Sequence, residues 1–252
     1  MTPLIQNLNP FSYFLILPLF FSSFKTTHNE KDQFAAGQGF AVVELFTSEG
    51  CSSCPPADEA VGRLNGWKKN VYVLSFHVDY WNNLGWKDVF SNPAYSSRQQ
   101  EYGSYFHLSN IYTPQIIVNG KVQLVGSEEA LLRKTIEESI AEIPKEEINV
   151  KVLQETNHKI PVSITSDGNP EFKLNLALVQ NFASDFVQRG ENKGKTLSNF
   201  FIVRDFKVLP NSSNTFYLDT PPGLRSSYYT VIAFLQNSKD GHISAATGSS
   251  IP

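Results

Sequence analysis

Residues 41–58 read AVVELFTSEGCSSCPPAD and contain Cys51 and Cys54, the two cysteines of a 252-residue chain. The apolar run FAVVELF leads into the pair and is interrupted only by Glu44. A continuous run of this kind fits a strand buried on both faces. Pro55 and Pro56 follow directly. Proline is tolerated in the first turn of a helix and not beyond it, so a helix is expected to begin close to Cys54. DEAVGRLNGW, amphipathic and acidic at its start, continues that helix, and NVYVLSF reads as a second buried strand. Strand, helix and strand in this order predict a parallel pair joined by a right-handed crossover.

Two cysteines three residues apart at a strand-to-helix turn form a redox-dithiol signature. A tight turn lets the sulfurs bond, and free N–H groups with the helix dipole favour the thiolate of the first. Cys51 is then the attacking thiol and Cys54 the one that resolves the mixed disulfide. The placement of the two prolines weakens this activation, because it moves the helix start towards Cys54. Other uses of the pair are a structural disulfide, which closes too small a loop to stabilise much, and Cu(I) held by Cys51, Cys54 and His77. No other cofactor is expected.

Two further features point at this turn. Thr113-Pro114 precedes a strand and an Asn119-Gly120 turn. In thioredoxins a cis-proline stands in this slot facing the CxxC, and the resemblance implies a cis bond here that frees the Thr113 backbone to pair with a bound partner. Thioredoxins also keep a buried acid on the strand below the CxxC. Glu44, seven residues before Cys51, resembles it and is implied to relay a proton. His77, Asp79, Tyr80 and Trp81 follow the second strand. On a parallel sheet they stand at the edge that carries the CxxC; Trp86 joins them as a groove-lining candidate. The stretch 77–110 is an insertion with a helix from about Pro93 to Phe106, capped at Ser91 or Asn92. SEEALLRKTIEESIAEI is a further helix with Ser127 as its cap.

After residue 145 the pattern changes. INVKVLQ, IPVSITS, FKLNLALVQ, FFIVRDFKV, TFYLDT, YYTVIAFLQN and HISAAT are alternating strands separated by turn signals, which predicts an antiparallel β-sandwich-like domain over 146–252. GENKGKT (190–196) has the wrong spacing for a phosphate loop. It reads as a long loop that serves a partner or packs against the first domain.

VVELFTSEGCSSCPPAD, SFHVDYWNNLGWKD, YTPQIIVNG and VQRGENKGKTLSNFFIVRDF together resemble a bacterial secreted thioredoxin-like family known only as a domain of unknown function. The resemblance covers roughly residues 40–250. It implies an α/β thioredoxin-like domain at 39–145, an all-β domain at 146–252, and export. The segment 1–30 agrees with export: Phe11 to Phe24 is an apolar run of signal-peptide length, either cleaved or kept as an anchor. With a net charge of −3 and no basic stripe, nucleic acid is not an expected partner. The expected function is that of an exported thiol–disulfide oxidoreductase, periplasmic or secreted. Its partners are a protein or small-molecule thiol or disulfide, or a membrane electron donor. The alternative is a copper- or partner-binding module without turnover.

Overall fold

The computed structural model describes residues 1, 38–223 and 225–252. Apart from Met1, the expected export segment lies outside the described residues. Among the described residues no helix is long and apolar enough to cross a membrane.

In chain order the elements are β1 (Ala41–Thr47), α1 (Pro55–Gly62), β2 (Val71–His77), α2 (Pro93–Tyr105), β3 (Gln115–Val118), β4 (Val122–Val125) and α3 (Glu129–Ile140). Strands follow: β5 (Ile148–Val152), β6 (Lys159–Ser166), β7 (Phe172–Phe186), β8 (Thr196–Pro210), β9 (Asn214–Asp219), β10 (Tyr229–Asn237) and β11 (Ile243–Ser250). They build a mixed eight-stranded sheet, ordered β11-β10-β7-β8-β2-β1-β3-β4, and a three-stranded sheet, β5-β6-β9.

β1 and β2 pair in parallel, from Ala41↔Val71 to Thr47↔His77. β3 runs antiparallel along the other edge of β1. Every residue of β1 is buried, because both edges are paired and both faces covered. The β3–β4 hairpin turns at Asn119 and Gly120, with φ of 48° and 66°, the backbone an Asn-Gly pair adopts most readily. Asn119 also clamps β1: its side chain accepts the Val42 N–H at 2.6 Å and donates to the Phe40 carbonyl at 3.1 Å. Asn92 caps α2 by accepting the Ala94 N–H at 3.0 Å. α3 starts later than its sequence suggests. Glu128, not Ser127, is its N-cap, with no side-chain hydrogen bond.

The seven strands beyond residue 145 coincide with the seven alternating segments and pack as two layers. One layer is a continuation of the first sheet, since β8 meets β2 at Ser75↔Ile202 and then pairs with β7. Strand alternation sorts the core. On one face, α1 and α3 cover Val43 and Leu45 of β1, and the three-stranded sheet covers Leu174, Leu176 and Leu178 of β7. On the opposite face Phe46, Phe76, Val179 and Phe234 meet Tyr95 and Tyr102 of α2. That second core draws on residues from both halves of the chain.

Candidate functional site

Cys51 and Cys54 are joined by a disulfide, with Cα atoms 5.4 Å apart. Cys54 is the N-cap of α1, and Pro55 and Pro56 occupy its first positions, where a missing N–H leaves no acceptor unpaired. The first N–H groups of the helix, on Ala57 and Asp58, both bond the Cys54 carbonyl, at 2.8 and 3.1 Å. They are thereby withheld from Cys51, as the two prolines lead one to expect. Both cysteines are fully buried, with 0 % exposure.

The Thr113–Pro114 bond is cis, and the Thr113 carbonyl lies 3.9 Å from Cys51 Sγ. Trp81 ties this loop to the cysteine loop. Its indole N–H donates to Thr113 Oγ1 at 2.8 Å, and its Cβ is so close to Gly50 that a side chain there would stand 3.1 Å away. Gly126, after β4, is required by a similar crowding: a Cβ would come within 2.7 Å of Ala57 and 2.8 Å of Pro114.

Glu44 is not part of this assembly. Leu45 and Thr47 point to the face of α1, so Glu44, of opposite parity, points towards α2. Its carboxylate accepts Arg98 Nε at 2.5 Å, Arg98 Nη2 at 2.9 Å and the Tyr102 hydroxyl at 2.5 Å. The Arg98 guanidinium lies within 5.5 Å of the ring centroids of Phe76, Tyr102, Phe206 and Phe234 and donates to Gln236 of β10 at 3.2 Å. With both oxygens engaged and the sheet between it and α1, Glu44 is placed as a structural ion pair rather than the expected proton relay.

The titratable groups that do gather beneath the turn are Glu49, Asp58, His77 and Asp88. His77, beside Thr47 across the β1–β2 pair, holds Asp88 Oδ2 through Nδ1 at 2.7 Å. The same oxygen accepts the Glu49 N–H at 2.8 Å. Burial would lower the His77 pKa, but Asp88, with Asp58 and Glu49 behind it, outweighs burial and raises it. Burial likewise opposes ionisation of Asp88, yet His77 and two backbone N–H groups hold its pKa below the usual value. Asp58 Oδ2 accepts the Thr47 hydroxyl at 2.9 Å. Burial, only partly offset by His77 and Thr47, pushes the Asp58 carboxyl up to about 7. Glu49 is also raised to about 7, by burial and by the Asp88 charge, although it accepts the Trp86 indole N–H at 2.9 Å. Asp58 Oδ1 and His77 Nε2 are buried without a hydrogen-bond partner. Among the described residues no group of three or more His, Cys, Asp or Glu side chains is arranged to hold a metal ion.

Asp79 turns to α2, whereas the Tyr80 hydroxyl lies between α2 and the Thr113 loop, beside the Thr113 and Trp81 side chains. Asp79 exchanges hydrogen bonds with Ser96, and the Tyr80 hydroxyl donates to Gln99 at 3.1 Å. Of the four residues expected at the sheet edge, His77, Trp81 and, through Thr113, Tyr80 join the site, and Asp79 does not.

The last contribution comes from the far half of the chain. The loop 187–195, between β7 and β8, lies on the cysteine loop. Asn192 Nδ2 donates to the carbonyls of Glu49 and Cys51, each at 2.9 Å. Glu191 accepts the Ser52 N–H at 3.0 Å, and Asn199 of β8 donates to Glu49 Oε1 at 3.0 Å. Glu49, Asp58, Asp88, Glu191, Asn192 and Asn199 are the residues sequence reasoning missed. Glu49 and Asp58 flank the cysteines within the opening stretch, so their presence was a signal. The role of Asn192 had none beyond the loop reading of 190–196.

No curated protein matches this sequence. The crystal structure of protein AGR_C_4864 from Agrobacterium tumefaciens is similar, with a TM-score of 0.64 and 26% identity over 86% of this chain and 96% of that one. A domain of the outer membrane lipoprotein Omp28 from Porphyromonas gingivalis aligns with 42% of this chain and 95% of its own, at 16% identity and a TM-score of 0.27. The family model described as "Protein of unknown function (DUF1223)" matches residues 42–236, a span that includes the cysteine turn, the cis-proline and the 187–195 loop. The chain belongs to that family.

Proposed function

We propose that this protein is an exported thiol–disulfide oxidoreductase whose first half is a thioredoxin-like unit. The observation that carries the reading is the Cys51–Cys54 disulfide at the strand-to-helix turn, with the Thr113 carbonyl 3.9 Å from Cys51 Sγ and a cis bond after Thr113. In the reduced state the Cys51 thiolate attacks one sulfur of a partner disulfide. The partner S–S bond breaks, one partner thiolate leaves, and a mixed disulfide forms. Cys54, deprotonated, then attacks Cys51 Sγ and releases the second partner thiolate, leaving Cys51–Cys54 oxidised. The reverse sequence oxidises a dithiol partner. Asp58, one helical turn after Cys54 and with its pKa pushed up to about 7 by burial, replaces Glu44 as the carboxyl suited to hold the proton exchanged with Cys54. Trp81 and Thr113 form the surface on which a partner backbone pairs. Export rests on the apolar N-terminal segment.

The test is trapping in the native cell. Cys54→Ser is expected to accumulate a reducible adduct on Cys51, and Cys51→Ser to form none. Equilibration of the wild-type chain in glutathione buffers is expected to give a single two-electron transition. A disulfide that no dithiol reduces, together with an empty trap, would remove the oxidoreductase reading.

A further inference from the structure

The reaction just proposed requires a sulfur to approach Sγ in line with the S–S bond, yet both cysteines are completely buried. We infer that residues 187–195 form a strap that closes the Cys51–Cys54 centre, and that it must lift before a partner thiol or disulfide reacts. This rests on the oxidoreductase reading and adds its gate.

At its tip the strap is anchored on the cysteine loop and packs at Gly190 against the neighbouring insertion, where a Cβ would stand 3.1 Å from Trp86 Cβ. Asn192, itself fully buried, spends both amide hydrogens on the Glu49 and Cys51 carbonyls, while Lys195 Nζ holds its oxygen at 3.0 Å. Glu191, exposed, reaches the Ser52 N–H. Gly190 and Gly194, at φ of 79° and 80°, bracket these residues. Both sit in backbone that only glycine adopts without strain, and nothing lies within 4 Å of where a Gly194 side chain would be. Below the tip the hairpin is rooted by the Val187 N–H to Lys195 carbonyl bond at 3.0 Å and the long β7–β8 ladder. A stem held by a long ladder, with a tip fastened to the cysteine loop by three hydrogen bonds and to Trp86 by packing, is built to open at the tip.

The same contact senses redox state. Glu191 sets a carboxylate one residue from Cys51. When a dithiol reduces the centre, the Cys51–Cys54 bond breaks, the reductant takes up the new S–S bond, its two protons pass to the released sulfurs or to solvent, and any thiolate form of Cys51 stands next to that carboxylate. Like charges repel, so the closed strap favours the disulfide and reduction favours release. Other charged groups on the strap itself are Arg189, Lys193 and Lys195.

The experiment follows reduction of the full chain by dithiothreitol, with free thiols captured by a maleimide and counted by mass. Asn192→Ala and Glu191→Ala are each expected to speed reduction about tenfold, with faster hydrogen exchange at the Ser52 amide. Glu191→Gln, which keeps an acceptor and drops the charge, is expected to fall between wild type and Glu191→Ala. Rates within twofold of wild type in Glu191→Ala, an exposed position that leaves the fold intact, would overturn the strap while the oxidoreductase reading stands. If dithiothreitol reduces neither wild type nor variant, both fall together.

Discussion

Glu44 and Asp58 show how one strand's parity assigns chemistry. Both are buried carboxyls near the cysteines, but Glu44 meets a guanidinium and Asp58 meets a hydroxyl and an imidazole across a gap. Removing one member of a buried ion pair strands the other charge. Glu44→Gln is therefore expected to lower unfolding stability by about 3–5 kcal/mol, read by denaturant titration, while the Cys51–Cys54 redox equilibrium of the folded protein stays where it was. A large shift in that equilibrium would return Glu44 to the site. For Asp58 the sign follows from linkage. Its folded pKa, about 7, lies above the ordinary 3.8, so between those values the native state keeps a proton that the unfolded chain has released. Stability falls as pH rises through that window, by at most about 1.4 kcal/mol for each pH unit crossed. His77, raised by Asp88, adds a slope of the same sign above its ordinary value of 6.5. Glu49, also raised to about 7, adds a slope of the same sign, so denaturation at pH 5 and pH 8 is expected to show the wild type weaker at pH 8, and Asp58→Asn to remove part of that difference.

Among the elements, α1 is the one on which the site depends. It is short, begins on two prolines, and is held by its packing rather than by its own hydrogen bonds. Gly62, its last residue, lies against Phe200 of β8, where a Cβ would stand 2.7 Å from the ring. Gly62→Ala is expected to destabilise by about 1–3 kcal/mol, the usual effect of overpacking, and to loosen the turn it supports. Thermal unfolding together with the dithiothreitol reduction rate checks both effects. A substitution that stabilises the protein, through the better helix propensity of alanine, would mean that Phe200 moves aside freely. The β7–β8 hairpin is the counterpart of α1: long, interrupted by a shift of register at Leu178 and Val179, and the carrier of the strap.

For the whole molecule, the continuous sheet has a consequence for autonomy. Phe46 and Phe76 share a core with Val179 and Phe234, and Arg98 reaches Gln236 and Asn175. A fragment of residues 38–145 would expose that apolar face and leave Arg98 with half its partners. It is expected to show no cooperative unfolding transition, whereas the full chain is expected to unfold in one step by both calorimetry and tryptophan fluorescence. A cooperative melt of the fragment near the full-chain midpoint would make the halves independent.

Local pattern carried most of the elements: the buried runs of β1 and β2, the capped α2, the Asn-Gly turn and the seven later strands were all legible, because each depends on period, caps and turn residues within a few positions. Cys51, Cys54 and Thr113-Pro114 were legible for the same reason, as short motifs with fixed neighbours. What the sequence did not carry is proximity across long separations. Asn192 lies 141 residues from Cys51 and Gln236 lies 138 from Arg98; no local period brings them together. The tertiary structure decided that Glu44 faces Arg98, that Asp58 and Glu49 lie under the turn, and that a hairpin of the second half closes the first. The reason is that strand register and sheet order select the partners of a buried charge, and both are set only when the whole sheet forms.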